Sequence, residues 1–461
     1  MQKQDLWGVA GRTEPAREVI GPADVHRILA RNTLVDGYPL VLDLEASSGS
    51  WLVDAITGTR YLDMFSSFAS APLGTSPPEL TGDPEFLAEL AAAAVNKPAN
   101  PDLYTVEYAR FVATFVRVLG DPALPHLFFI DGGALAVENA LKAAFDWKAK
   151  RTGSATGPRE VGYQVLHLER AFHGRSGYTL SLTGTEPAKT ALFTKFAWPR
   201  IPSPALRFPL AEHGAVNAGA ERAALDAARA AFDAAADEIA CFIAEPIQGE
   251  GGDNHLSAGF LRRMQELCVE YDALFVLDEV QTGCGLTGTP WVYQQFDLEP
   301  DLVAFGKKTQ VCGVMGGRRI DLVPDNVFTV SSRVSSTWGG NFVDMVRATR
   351  ILEVIHRDRL FEAVTQRGKY LLAGLEAAAA RYPGLVGNPR GRGLMCAIDL
   401  LDAGTRDEIV RRMYTDEQVM VLPCGTVGLR FRPSLTITEE QVDFGLAGLD
   451  RCLSALAATA A

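Results

Sequence analysis

The sequence predicts an α/β protein with a largely parallel sheet and a smaller α/β lobe built from the two ends of the chain. Three observations carry this. From about residue 105, compact apolar runs (LPHLFFI, CFIAEPI, ALFVLDEV, LVAFG) alternate with helical periodicity such as AVENALKAAFDWKAK. Strands interleaved with helices fold as a parallel sheet whose ligand site lies at the strands' carboxyl ends. Residues 39–65 instead give short β-rich runs broken by Ser/Gly turns, the pattern of an antiparallel meander. After about residue 342 come one long helical stretch (346–382), two strand candidates (GLMCAIDL and VMVLP) and a last helix opening with Thr438 and Gln441 in capping-box spacing. The expected segments are 1–76 with the small sheet, 77–341 as the large domain and 342–461 as the C-terminal small α/β domain.

The composition, 47% hydrophobic and 22% charged over 461 residues, is that of a globular protein with a sizeable core. A net charge of -12 argues against a phosphate-tracking nucleic-acid surface, so any bound anion must meet a few well-placed basic groups. Seven cysteines stand singly, with no paired spacing and an odd total, which fits reduced thiols in the cytoplasm. The first residues lack the apolar core of a signal peptide, and no later stretch approaches bilayer-spanning length. The expectation is a cytoplasmic protein without a membrane partner.

Several residues sit where strands should end. Lys307 follows DLVAFG, where a firmly anchored, partly buried amine would be neutral enough to attack an aldehyde. Asp278 ends ALFVLD, and an acid at the edge of an apolar strand needs a cation. Gly132, Gly133 and Ala134 join a strand to a helix, whose N-terminus suits a phosphate. Phe172, in RAFHGRSGY, offers a flat face. Together they meet the needs of pyridoxal 5′-phosphate (PLP): an amine, a counter-ion for the ring nitrogen, an anion site and a stacking group. Taken singly, each also reads plainly, as a solvated lysine, a solvated acid, a turn and a core aromatic.

A rival reading comes from Gly283, Gly285 and Gly288, whose TGCGLTG matches the dinucleotide fingerprint. That fingerprint must leave a strand directly and open a helix. Here Asp278 to Gln281 intervene and Pro290 follows, so a nicotinamide oxidoreductase is only the runner-up. The histidines are scattered without zinc-ligand spacing, so no metal is expected.

Taken together these segments resemble the class III, or omega, aminotransferases of PLP fold type I, through DEVQTG (278–283), FGK (305–307), STWGGN (336–341), EPIQGE (245–250) and RFRP (430–433). The resemblance implies that fold, with a mostly parallel sheet of seven strands in the large domain. It implies Lys307 and not Lys308 as the cofactor lysine, Asp278 under the ring nitrogen, and Gly133, Ala134, Phe172 and Gln281 as further cofactor contacts. Thr337 would reach the phosphate held by a neighbouring subunit, making the protein a homodimer with shared sites. It further implies Arg175, Arg430, Glu250 and Asn341 as substrate contacts, with Glu250 paired to Arg430 and counted among the catalytic residues.

Departures narrow the likeness. Cys284 and Leu286 stand where many relatives carry an aromatic and an arginine, Leu135 stands at an acidic position of the phosphate loop, and FGKKTQVCG replaces a more glycine-rich run. These variants look like the lysine 6-aminotransferase subgroup. Its reaction moves the ε-amino group of L-lysine to 2-oxoglutarate. The alternatives are ornithine- or 4-aminobutyrate-type enzymes; a racemase or decarboxylating relative would share the cofactor residues, and a non-catalytic binding module would be expected to lack Lys307 or Asp278.

Overall fold

The computed structural model describes residues 19–153 and 162–460. Residues 1–18 of the expected N-terminal segment therefore lie outside the described residues. β1 (Trp51–Val53) and β2 (Arg60–Asp63) pair antiparallel. The meander is shorter than expected, for PLVLDL makes only an isolated bridge, Leu42 to Asp54. The Asp54 carboxylate accepts the Val41 N–H at 3.1 Å, so a side chain replaces a neighbouring strand there.

The large sheet draws on β3 (His126–Ile130), β4 (Gln164–Leu168), β5 (Arg200–Ile201) and β6 (Ile239–Ala244). Beyond β6 a small hairpin, β7 (Ile247–Gln248) and β8 (Asn254–His255), leaves the sheet, which resumes with β9 (Leu274–Asp278), β10 (Leu302–Phe305) and β11 (Cys312–Gly316). Its seven strands run in the order β3-β11-β10-β9-β6-β4-β5, and only β11 is antiparallel to its neighbours. Alternate side chains serve opposite faces, as strand geometry requires. Leu274 and Val276 pack with Ala140, Trp147 and Val165 under the helix Gly133–Arg151. Phe275 and Leu277 pack with Phe115, Phe260 and Met345, which belong to helices Val106–Leu119, Ala258–Glu270 and Phe342–Arg357. Burial on both faces explains the near-continuous apolar runs read in the sequence.

The long C-terminal helical stretch is two helices, Phe342–Arg357 and Leu360–Arg381, broken at Arg359 with φ 51°. Ile355 and Leu360 are both buried, and the left-handed residue between them turns the chain so that both enter the core. β12 (Val386–Arg392) and β13 (Met395–Leu400) follow. VMVLP then divides between two sheets. β14 (Val419–Met420) runs parallel to β2, whereas β15 (Leu422–Cys424) joins β16 (Gly428–Phe431) and β13 in a four-stranded antiparallel sheet. The last helix, Glu439–Ala460, opens as expected: the Gln441 side chain accepts the Thr438 N–H at 3.0 Å, and Thr438 Oγ1 accepts the Gln441 N–H at 3.3 Å. Among the described residues no helix is long and apolar enough to cross a membrane.

Candidate active site

The carboxyl ends of β3, β4, β6, β9 and β10 surround a cavity of about 960 Å³, the size of a small-molecule site. Lys307 enters it two residues after β10 ends, with φ 53°. Burial, joined by the charge of Arg430, lowers its amine to about 8, so a usable fraction is neutral near physiological pH. Lys308, next to it, is not solvated. It is buried outside the cavity, and its Nζ donates to the Ala69 carbonyl at 2.7 Å. That carbonyl ends four successive left-handed residues, Ser66 to Ala69, none of them glycine, which present Phe68 to the cavity. Nothing in the sequence marks this turn.

Asp278 closes β9 and is 5% exposed. One carboxylate oxygen lies 2.8 Å from His173 Nδ1 and the other accepts the Val280 N–H at 3.0 Å. Burial alone would lower the His173 imidazole, but the hydrogen bond and charge of Asp278, with Glu245 beyond, hold it above its ordinary value. Glu245, just after β6, is itself pushed up to about 7 by burial. It accepts the Phe172 N–H at 2.8 Å and the Gly249 N–H at 3.1 Å, tying the β4 loop to the segment that carries Glu250.

Gly132 takes φ 98°, a region closed to most side chains, to start the helix at Gly133. A Cβ at Gly133 would lie 2.8 Å from Val280, so this glycine is needed for packing as well. The first turn, with Gly133 and Ala134 on the cavity wall, carries N–H groups without helical partners and the positive end of the helix dipole. Phe172 and Gln281 complete this wall.

Glu250, also on the cavity wall, pairs with Arg430, which is 4% exposed, at 2.9 Å. Arg430 comes from β16 and uses one terminal nitrogen for this contact, while its buried Nε has no partner among the described residues. The second oxygen of Glu250 accepts from Lys189 Nζ at 2.6 Å. Burial would raise the Glu250 carboxyl, yet Arg430 and Lys189 together bring it down to about 2. Arg175 is exposed on the cavity wall, with no ion pair among the described residues.

Asn341 is not brought to this cavity, and Thr337, expected at a neighbouring subunit's cofactor, is not part of its wall. Thr337 is exposed on a loop away from it. Asn341, expected at the substrate, instead caps the helix Phe342–Arg357, its side-chain oxygen accepting the Val343 N–H at 3.2 Å. Three residues escaped the sequence reading. His173 and Glu245 stood inside motifs already singled out, and their burial was the missing signal. Lys189, in TEPAKT, carried none. Cys284 and Leu286 are both fully buried core residues, and TGCGLTG lies in turns rather than at the start of a long helix.

A cavity with a lysine amine lowered by burial, a buried aspartate and a glycine-opened helix N-terminus fits PLP. On this mostly parallel sheet it defines a PLP-dependent aminotransferase. The aminotransferase class-III family model matches residues 34–453, and the chain belongs to that family. It is 69% identical over 434 residues to the L-lysine-epsilon aminotransferase of Streptomyces clavuligerus, covering 94% of this chain and 95% of that protein. It is 68% identical over 442 residues to the L-lysine-epsilon aminotransferase of Amycolatopsis lactamdurans, covering 95% and 98%. Among solved structures, the lysine aminotransferase from M. tuberculosis in the internal aldimine form matches with TM-score 0.92 and 59% identity, over 95% of this chain and all of that one.

Proposed function

We propose that this enzyme transfers the ε-amino group of L-lysine to 2-oxoglutarate. The products are L-glutamate and 2-aminoadipate 6-semialdehyde, which cyclises to piperideine-6-carboxylate. The observation that carries this reading is the Glu250–Arg430 pair, whose Glu250 lines the same cavity as Lys307, with Arg175, which has no ion pair among the described residues, on the same wall. The two substrates differ at the reacting end: glutamate brings a carboxylate beside its reacting carbon, and lysine's ε end does not. Arg430 alone would attract that carboxylate and repel a cationic substrate. Closed on Glu250, it is masked for lysine; opened, it grips the α-carboxylate of glutamate or 2-oxoglutarate. The high identity to L-lysine-epsilon aminotransferases supports the same choice.

Bound PLP supplies an electron sink for the negative charge that develops at the substrate carbon. Asp278, oriented by His173 and the Val280 N–H, holds a fixed negative charge for the ring nitrogen. Gly133 and Ala134 would hold the phosphate, and Phe172 and Gln281, on the same cavity wall, would hold the ring. Lys307 would hold the cofactor and, as a free amine, would move the proton at lysine Cε. Arg175 binds lysine's distant α-carboxylate, which sets the ε-amine rather than the α-amine at the reacting position.

Thr337 serves the neighbouring subunit's cofactor, so the working enzyme is a homodimer. Its exposed loop, with Leu103, Tyr104, Val106 and Trp338 also exposed, supports a surface that a second copy covers. We assign the enzyme to the cytoplasm, consistent with its seven free, buried cysteines. Incubating the PLP-loaded protein with L-lysine and 2-oxoglutarate should yield glutamate and the piperideine. Faster turnover of L-ornithine or 4-aminobutyrate would overturn the lysine assignment.

A further inference from the structure

Glu250 is shared between two cations from different parts of the chain. Its Oε2 meets Arg430 Nη2 at 2.9 Å and its Oε1 meets Lys189 Nζ at 2.6 Å. Lys189 lies on the single helical turn Pro187–Thr190, lines the same cavity, and is held on its other side by Glu186 at 3.0 Å. Its Nζ also lies 5.6 Å from the centre of the Phe172 ring, within reach of a cation–π contact. The two ends of this arrangement differ. Arg430 is nearly fully buried on a sheet strand, whereas Lys189 is 20% exposed on a flexible four-carbon stem.

This asymmetry matters because opening the Glu250–Arg430 pair would otherwise strand a carboxylate in a part-buried site, which is strongly unfavourable. We infer that Lys189 is a positioning residue that keeps Glu250 paired through one oxygen while the other releases Arg430, and so makes Arg430 available to a dicarboxylate substrate. The inference rests on the proposed exchange of Glu250 at Arg430 and adds what that exchange lacks, a partner for Glu250 in the open state. Removing Lys189 should lock Glu250 onto Arg430, hindering the 2-oxoglutarate step and sparing the lysine step.

The test is single-turnover kinetics of both half-reactions: L-lysine with the PLP-loaded enzyme, and 2-oxoglutarate with the pyridoxamine-phosphate-loaded enzyme. Wild type, Lys189→Met, Lys189→Arg, Glu250→Ala and the Lys189→Met/Glu250→Ala double variant are compared. Lys189→Met is expected to slow the 2-oxoglutarate step by roughly tenfold or more and change the lysine step by less than about threefold. Lys189→Arg, which keeps the charge, should restore most of the loss. With Glu250 already removed, Lys189→Met should cost the 2-oxoglutarate step less than about twofold, since there is no carboxylate left to hold. The same loss in the Glu250→Ala background would mean that Lys189 contacts substrate directly, and equal losses in both steps would mean a merely structural salt bridge; either overturns the inference. Glu250→Ala alone reports on the underlying exchange. If it fails to slow the lysine step selectively, that reading falls and this inference with it; if it does, and Lys189→Met leaves the 2-oxoglutarate step intact, only Lys189 is misassigned.

Discussion

His173 Nδ1 lies 2.8 Å from Asp278 Oδ2, with both side chains buried at the carboxyl edge of the large sheet. The Val280 N–H holds the other oxygen, so the carboxylate has little freedom to rotate. Replacing His173 with Phe should leave Asp278 half-satisfied and misdirected. Loss of a hydrogen bond to a charged group is worth about 1.5–3 kcal/mol, so PLP should bind roughly tenfold or more weakly. Equilibrium dialysis measures this, and His173→Gln should recover part of the loss.

Lys307→Ala should abolish turnover and the borohydride-fixed link between PLP and the chain, whereas Lys308→Ala should keep the link and lose stability because it removes the buried bond to Ala69. Peptide mapping of the reduced protein separates the two lysines.

The rate of PLP capture by the cofactor-free enzyme should follow the neutral fraction of Lys307. Burial lowers this amine to about 8, so the rate should rise with pH through that value and level off above it, well before the ordinary lysine value of 10.5. Stopped-flow absorbance against pH is the measurement; a rate still climbing steeply at pH 10 would mean a solvated amine.

Sharing of Thr337 between subunits is tested by mixing Lys307→Ala with Thr337→Ala chains. Hybrid dimers should gather both defects in one site and leave the other intact, recovering one near-normal PLP site per dimer. Two equally impaired sites would contradict sharing.

The parallel sheet was legible because its strands are buried on both faces and read as unbroken apolar runs ending in Asp278 or just before Lys307. The turn chemistry was legible at Gly132, where φ 98° requires glycine. What escaped depended on long-range neighbours. Nothing near Val419 says that VMVLP divides between sheets, since β2 lies far away in the chain. Arg359 breaks a helix although its sequence is helical, because Ile355 and Leu360 must both reach the core. Asn341 matched a motif, but its short side chain is spent on a helix cap. Lys189 became visible only once folding brought it to Glu250.

The central claim is that Arg175 and Glu250 divide the labour of telling lysine from glutamate, and single-turnover rates of the two half-reactions in Arg175→Ala and Glu250→Ala test it most directly. Arg175→Ala should slow the lysine step by about tenfold or more relative to the glutamate step, because lysine loses its only carboxylate contact while glutamate keeps Arg430. Glu250→Ala should leave Arg430 unmasked, so that glutamate reacts nearly as before and lysine transfer slows. Equal losses in both half-reactions for both variants would contradict the account.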